Sequence, residues 1–187
     1  MRNEKTKTLV ECALLTAIAV ILSKLQFAPW PQGGSITVAA MAPLVLLSLR
    51  HGWKWGILSS FVFSLLQMLL EGIAPPPVTS FLWYALVVLL DYVVAYTVLG
   101  LASIFFKLYG KNRFAVPLAS VSVTLLRYLC HFVSGIAIWG IYAPEGWPAW
   151  LHSLVYNGSY MIPETIITAV VVTLLYKLLQ RTNPAKA

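Results

Sequence analysis

Six long apolar runs, separated by short Lys/Arg clusters or by Pro- and Gly-rich turns, restrict this chain more than any other feature of its sequence. Runs of this length and polarity cannot be hidden inside a soluble domain of 187 residues, but they suit a bilayer, where a helix satisfies all its backbone hydrogen bonds internally. Only 10% of the residues are charged, against about a quarter in soluble domains. The pattern therefore predicts an all-α membrane protein with six transmembrane helices, at about residues 8–26, 36–50, 53–71, 78–106, 114–141 and 151–178, in a single integral membrane domain covering 1–187. The second run is short of the ~20 residues a straight span needs and holds Pro43, so it is read as tilted or broken.

The basic residues are distributed by topology. Of thirteen Lys and Arg, eleven fall at the N-terminus, near residues 50–54 and 107–113, and in the tail. These positions share one side of a six-span bundle, and by the positive-inside rule both termini are cytoplasmic. Because the charge sits in clusters and never forms a stripe, the net +7 does not point to nucleic acid. Cys12 and Cys130 fall toward opposite membrane faces, which argues against a disulfide. The basic, then apolar, N-terminus reads as an uncleaved first helix. There is no GxxxxGK[ST] loop, HExxH pair, Cys/His metal spacing or GxSxG elbow, so phosphate-loop, zinc and serine chemistry find no foothold, and any ATP dependence must come from a partner.

Polar chemistry inside the apolar runs is scarce and concentrated. Charges at bilayer depth cost a few kcal/mol, so such residues turn to the bundle interior and are functional candidates by default. Asp91, Arg127 and Glu164 qualify. Arg127, His131 and Trp139, at offsets of four and eight, would share one broad helical face; Asn157 and Glu164, seven apart, would share another. The plainest alternative is a structural Asp91–Arg127 ion pair, which leaves Glu164 over. Counting His131 as neutral, the three charges sum to −1, which a monovalent cation would balance. Trp139 and Tyr84, Tyr92, Tyr128 and Tyr160 could offer ring faces to an aromatic cation, although each tyrosine taken singly also suits an interfacial belt or simple packing.

The run RYLCHFVSGIAIWGIYAPEGWPAWLHSLVYNGSYMIPE, together with LLLDYVVAYTVLG, APLVLLSLRHG and ECALLTAIAV upstream, resembles the thiamine-specific substrate-binding (S) component of the energy-coupling-factor (ECF) vitamin transporters. The Y-N-G-S-Y-M-x-P-E segment and the H-F-x-x-G-x-x-x-W spacing carry the likeness. It implies a high-affinity thiamine-binding subunit of an ATP-driven importer in the bacterial cell membrane, not an enzyme, with no cofactor. Its implied partners are a transmembrane coupling protein and two ATPase subunits. It further implies ligand contacts at Asp91 and Tyr92, at Arg127, His131 and Trp139, and at Asn157 and His152, with Trp139 stacking on a thiamine ring; Glu164 joins them on its intramembrane charge. Ala13 and Ala17, a small-xxx-small ridge on the first helix, match the surface that S components present to the coupling protein.

The chain departs from the best-known member in having Asp for Glu at Asp91, Arg for Lys at Arg127 and His for Tyr at His152. A tryptophan that covers the ligand in that member aligns near Gly34, with Trp30 as the nearest substitute. Two rivals stand beside this reading. One is a solo proton-coupled carrier for thiamine or a related precursor, relaying protons through Asp91 or Glu164. The other is an intramembrane enzyme pairing His131 with Glu164 as acid and base.

Overall fold

The computed structural model describes residues 2–31, 33–110 and 112–182; Lys111 and Lys186, counted above among the basic residues, lie outside them. Six helices form the bundle: α1 (Arg2–Ser23), α2 (Ala42–His51), α3 (Trp53–Glu71), α4 (Phe81–Tyr109), α5 (Ala115–Ala137) and α6 (Ala149–Thr182). Among the described residues, five of them, all but α2, are long and apolar enough to cross a membrane. Leu, Ile, Val and Phe side chains cover their outer surfaces, as expected where the solvent is lipid.

The second apolar run departs most from expectation. Its first part is no helix: Ser35–Thr37 forms β2, paired antiparallel with β1 (Gln26–Pro29). The Pro- and Gly-rich turn after the first apolar run is therefore part of a two-stranded hairpin. The helix starts only at Ala42, with Pro43 in its first turn, where a missing N–H costs nothing. At 10 residues α2 spans about 15 Å, half a bilayer. Every side chain from Ala42 to Ser48 is buried, so this short helix is the packing hub rather than a span. Proline in this run thus starts a helix instead of breaking one.

Two close approaches hold the hub. Ser48 of α2 donates to the Gly100 carbonyl on α4 (2.6 Å) and accepts from the Ser103 N–H (3.1 Å). Gly100 itself presses on α3: a Cβ there would lie 2.2 Å from the Ile57 nitrogen and 2.4 Å from the Gly56 carbonyl carbon. Backbone cannot yield as a side chain can. Gly100→Ala is expected to destabilise the bundle by about 1–3 kcal/mol or more, the scale of overpacking. A lowered melting temperature in detergent would show this, and an unchanged one would mean that α3 and α4 can separate freely.

At the basic end, Arg50 and His51 meet Glu11 of α1 at 2.6 and 3.0 Å, fixing α1 against the α2–α3 junction. At the other end Lys24 meets Glu71 at 3.0 Å, tying the exit of α1 to the end of α3 beside the hairpin. Cys12 and Cys130 are both free.

Candidate functional site

A cavity of about 450 Å³ opens at the hairpin end of the bundle, opposite the basic clusters, walled by α3, α4, α5 and α6. Its volume falls in the range of small-molecule sites. Asp91, Tyr92, Arg127, His131, Trp139, His152, Asn157 and Glu164 all line it, so the polar residues singled out in the sequence do converge.

Asp91 is the centre of the arrangement. It sits in a π-helical turn of α4, Val88–Val94, a wider winding that recurs at functional sites. His131 Nδ1 lies 3.1 Å from Asp91 Oδ1, while Ser134 Oγ (2.7 Å) and Trp139 Nε1 (3.0 Å) donate to Oδ2. Arg127 Nε donates to His131 Nε2 at 3.3 Å. An arginine can only donate, so Nε2 is the acceptor nitrogen and Nδ1 bears the hydrogen given to Asp91. The result is a directed chain from Arg127 through His131 to Asp91.

The alternative of a direct Asp91–Arg127 ion pair is not what the structure shows. The Arg127 guanidinium instead lies over the Tyr96 ring, 4.1 Å from its centroid, and the imidazole stands between the two charges. Trp139 is not on the same helix face as Arg127 and His131, because α5 ends at Ala137 and Trp139 lies beyond it at φ −96°, ψ 1°. The turn nevertheless swings its indole N–H onto Asp91. Tyr142 stacks on the Trp139 ring at 6.3 Å and 23°, so a ring in the cavity can use only the opposite indole face.

The α6 residues close the other side. The Asn157 amide N–H₂ donates to the His131 carbonyl (3.1 Å) and to Ser153, and its oxygen accepts from Tyr160 (2.7 Å). His152 reaches the cavity from the first turn of α6 despite lying about 140° around the helix from Asn157, with its ring 5.5 Å from Tyr156. Glu164, 4% exposed, accepts from the Thr37 N–H at the end of the hairpin. Tyr92 packs between two elements, its hydroxyl accepting from the Ala74 N–H at 3.1 Å.

The hairpin roofs this space. Trp30 lines the cavity with its ring 5.9 Å from Tyr160, and Tyr156 donates to the Gly33 carbonyl at 3.0 Å. Gly34, at φ +89°, lies so close to Tyr160 that a Cβ would fall 2.5 Å from the ring. Gly34, near which the resemblance places a covering tryptophan, could take a side chain only if the Tyr160 ring moved, and Trp30 supplies aromatic surface nearby. Ala13 and Ala17 do not line the cavity and are exposed on α1.

Of the tyrosines considered in the sequence, Tyr92 and Tyr160 line the cavity and Tyr84 and Tyr128 do not; Ser134, Tyr96, Gln67 and Glu71 also shape the site and were not expected from the sequence. Gln67 carried a usable signal, as an amide inside the third apolar run, and so did Ser134, three residues after His131.

Residues 9–184 match the family described as Thiamine transporter protein. The thiamine transporter ThiT of Bacillus subtilis (strain 168) is 36% identical over 186 residues, covering 94% of this chain and 93% of that protein. ThiT of Lacticaseibacillus paracasei is 28% identical over 185 residues, covering 93% and 89%. A solved structure of ThiT from Listeria monocytogenes superposes with a TM-score of 0.75 over 97% of each chain at 22% identity, a likeness of fold. With a matching family across nearly its whole length and helices of bilayer length around one polar cavity, this chain belongs to the thiamine transporter protein family and is a multi-pass cell-membrane protein.

Proposed function

We propose that the protein binds thiamine with high affinity in the cavity beneath the hairpin and serves as the substrate-binding subunit of an ECF-type, ATP-driven importer, with both termini and the basic clusters in the cytoplasm. The observation that carries this reading is the composition of the cavity wall. Of the three carboxyl side chains in the wall Glu71 is paired with Lys24, which leaves Asp91 and Glu164 against one guanidinium among the described lining residues, that of Arg127, with the rings of Trp30, Tyr92, Tyr96 and Trp139 around them. Such a wall suits an aromatic ring with one positive charge, since cation and ring attractions both strengthen where water is excluded. Thiamine has that chemistry in its thiazolium. The ECF coupling protein and two ATPase subunits enter through the family resemblance and through the exposed Ala13–Ala17 ridge, which leaves a flat strip for a partner helix.

Titration with thiamine while following tryptophan emission tests the site. Stacking on the open face of Trp139 is expected to quench the signal, and Trp139→Ala to weaken binding by roughly 1–3 kcal/mol, the range for a lost aromatic stack. Wild-type affinity in that variant would remove Trp139 from the site, and absence of thiamine binding by the folded parent would overturn the reading.

A further inference from the structure

Phe63, Gln67 and Glu71 stand one helical turn apart on α3 and form its contribution to the cavity wall. The outer two are accounted for within the protein. Phe63 packs edge-on to Tyr96 at 4.9 Å, and Glu71 is bound to Lys24. Gln67 lies between them, 3% exposed, and its buried Oε1 meets no donor among the described residues. An apolar span has no need of an amide at this point, and a buried carbonyl oxygen without a partner is costly. The cost is removed if the occupant of the cavity brings the missing hydrogen.

We propose that Gln67 is a ligand-binding and specificity-determining residue, its Oε1 accepting a hydrogen from an uncharged N–H or O–H of the bound molecule and its Nε2 facing an acceptor on the same molecule. This rests on the thiamine reading above and extends it. Thiamine carries two donors of this kind, the amino group of its pyrimidine and the hydroxyl of its side chain. The wall then divides its labour. Asp91 and the rings answer the positive charge, and the uncharged amide answers an uncharged donor. A site built this way discriminates against analogues lacking that donor, because binding them leaves the amide buried and unpaired.

The test compares the full-length parent with Gln67→Leu, and with the unbranched Gln67→Met beside it, in thiamine titrations and thermal melts of the empty protein. Affinity is expected to fall about tenfold, the scale of one hydrogen bond to a buried partner, while the empty variants melt no lower than the parent. Two analogues identify the donor: thiamine without the pyrimidine amino group and thiamine without the side-chain hydroxyl. The loss caused by the substitution should vanish with one of them and persist with the other. Unchanged thiamine affinity in both variants, or a loss that persists with both analogues, would overturn the assignment. Failure of the parent to bind thiamine would overturn it together with the site itself, a result distinct from either.

Discussion

Thiamine uptake is expected to stop, with thiamine binding intact, when Ala13 or Ala17 is replaced by Trp. Both alanines are exposed on α1, flanked by the exposed Leu9, Leu14, Ile18 and Ile21, and none of these residues lines the cavity. Lipid tolerates an added indole. A helix that must approach the α1 backbone closely does not, because small-xxx-small contacts depend on the absence of bulk. Tryptophan quenching measures the first property and uptake of labelled thiamine in ATP-supplied vesicles carrying the partner subunits measures the second. Binding and folding lost together would mean that the ridge packs inward, against the exposure seen here. Undiminished uptake by the double variant would leave the coupling reading without its surface.

The second large effect is expected at Asp91. Asp91→Asn would present one amide nitrogen where the carboxylate now receives only donors. The Trp139 indole cannot accept, and the His131 imidazole cannot reverse without losing the hydrogen from Arg127. One donor must be left facing another, which is expected to weaken any ligand roughly tenfold through distortion of the wall. Thiamine loses a counter-charge in addition, so its affinity should fall by a further tenfold or more. Titration with thiamine and with an uncharged analogue, its thiazolium replaced by a thiophene, separates the two contributions. Equal losses would show that Asp91 organises donors and does not answer charge.

The sequence revealed helices and polar residues more readily than their connections. Five spans follow from apolar length alone, because lipid imposes a length that composition must meet. The hairpin did not, since Gln26–Pro29 and Ser35–Thr37 are too short to show a period of two and are held in part by Tyr156, Tyr160 and Glu164 from more than a hundred residues away. Charged and aromatic site residues were legible because a polar group inside an apolar run must be explained. Their pairing was not: the spacing of Asp91 and Arg127 gives no sign that His131 stands between them, and helical periodicity ran on past Ala137, where the chain turns. Gln67 and Ser134 also interrupt apolar runs, but such a run can carry an uncharged polar group for many reasons, so that signal acquires a meaning only with the cavity.

The π turn in α4 also bears on how this chain should be compared with others. A π turn holds one residue more than an α turn of the same rise, and here Val88–Val94 is followed by a tight 3₁₀ stretch, Val98–Leu101, which winds back part of the rotation. Local winding therefore sets the direction in which Asp91 points, and a count of residues from the helix start does not. Deleting one residue within Val88–Val94 would let the turn relax to regular α geometry with the helix on either side left near its present orientation, because the turn that remains has the same rise. A homologue with regular winding here would align with a gap of one position between Val87 and Ala95. Its acid would then have to be identified by the cavity it faces, since numbering carried across that gap would select a neighbour pointing at lipid.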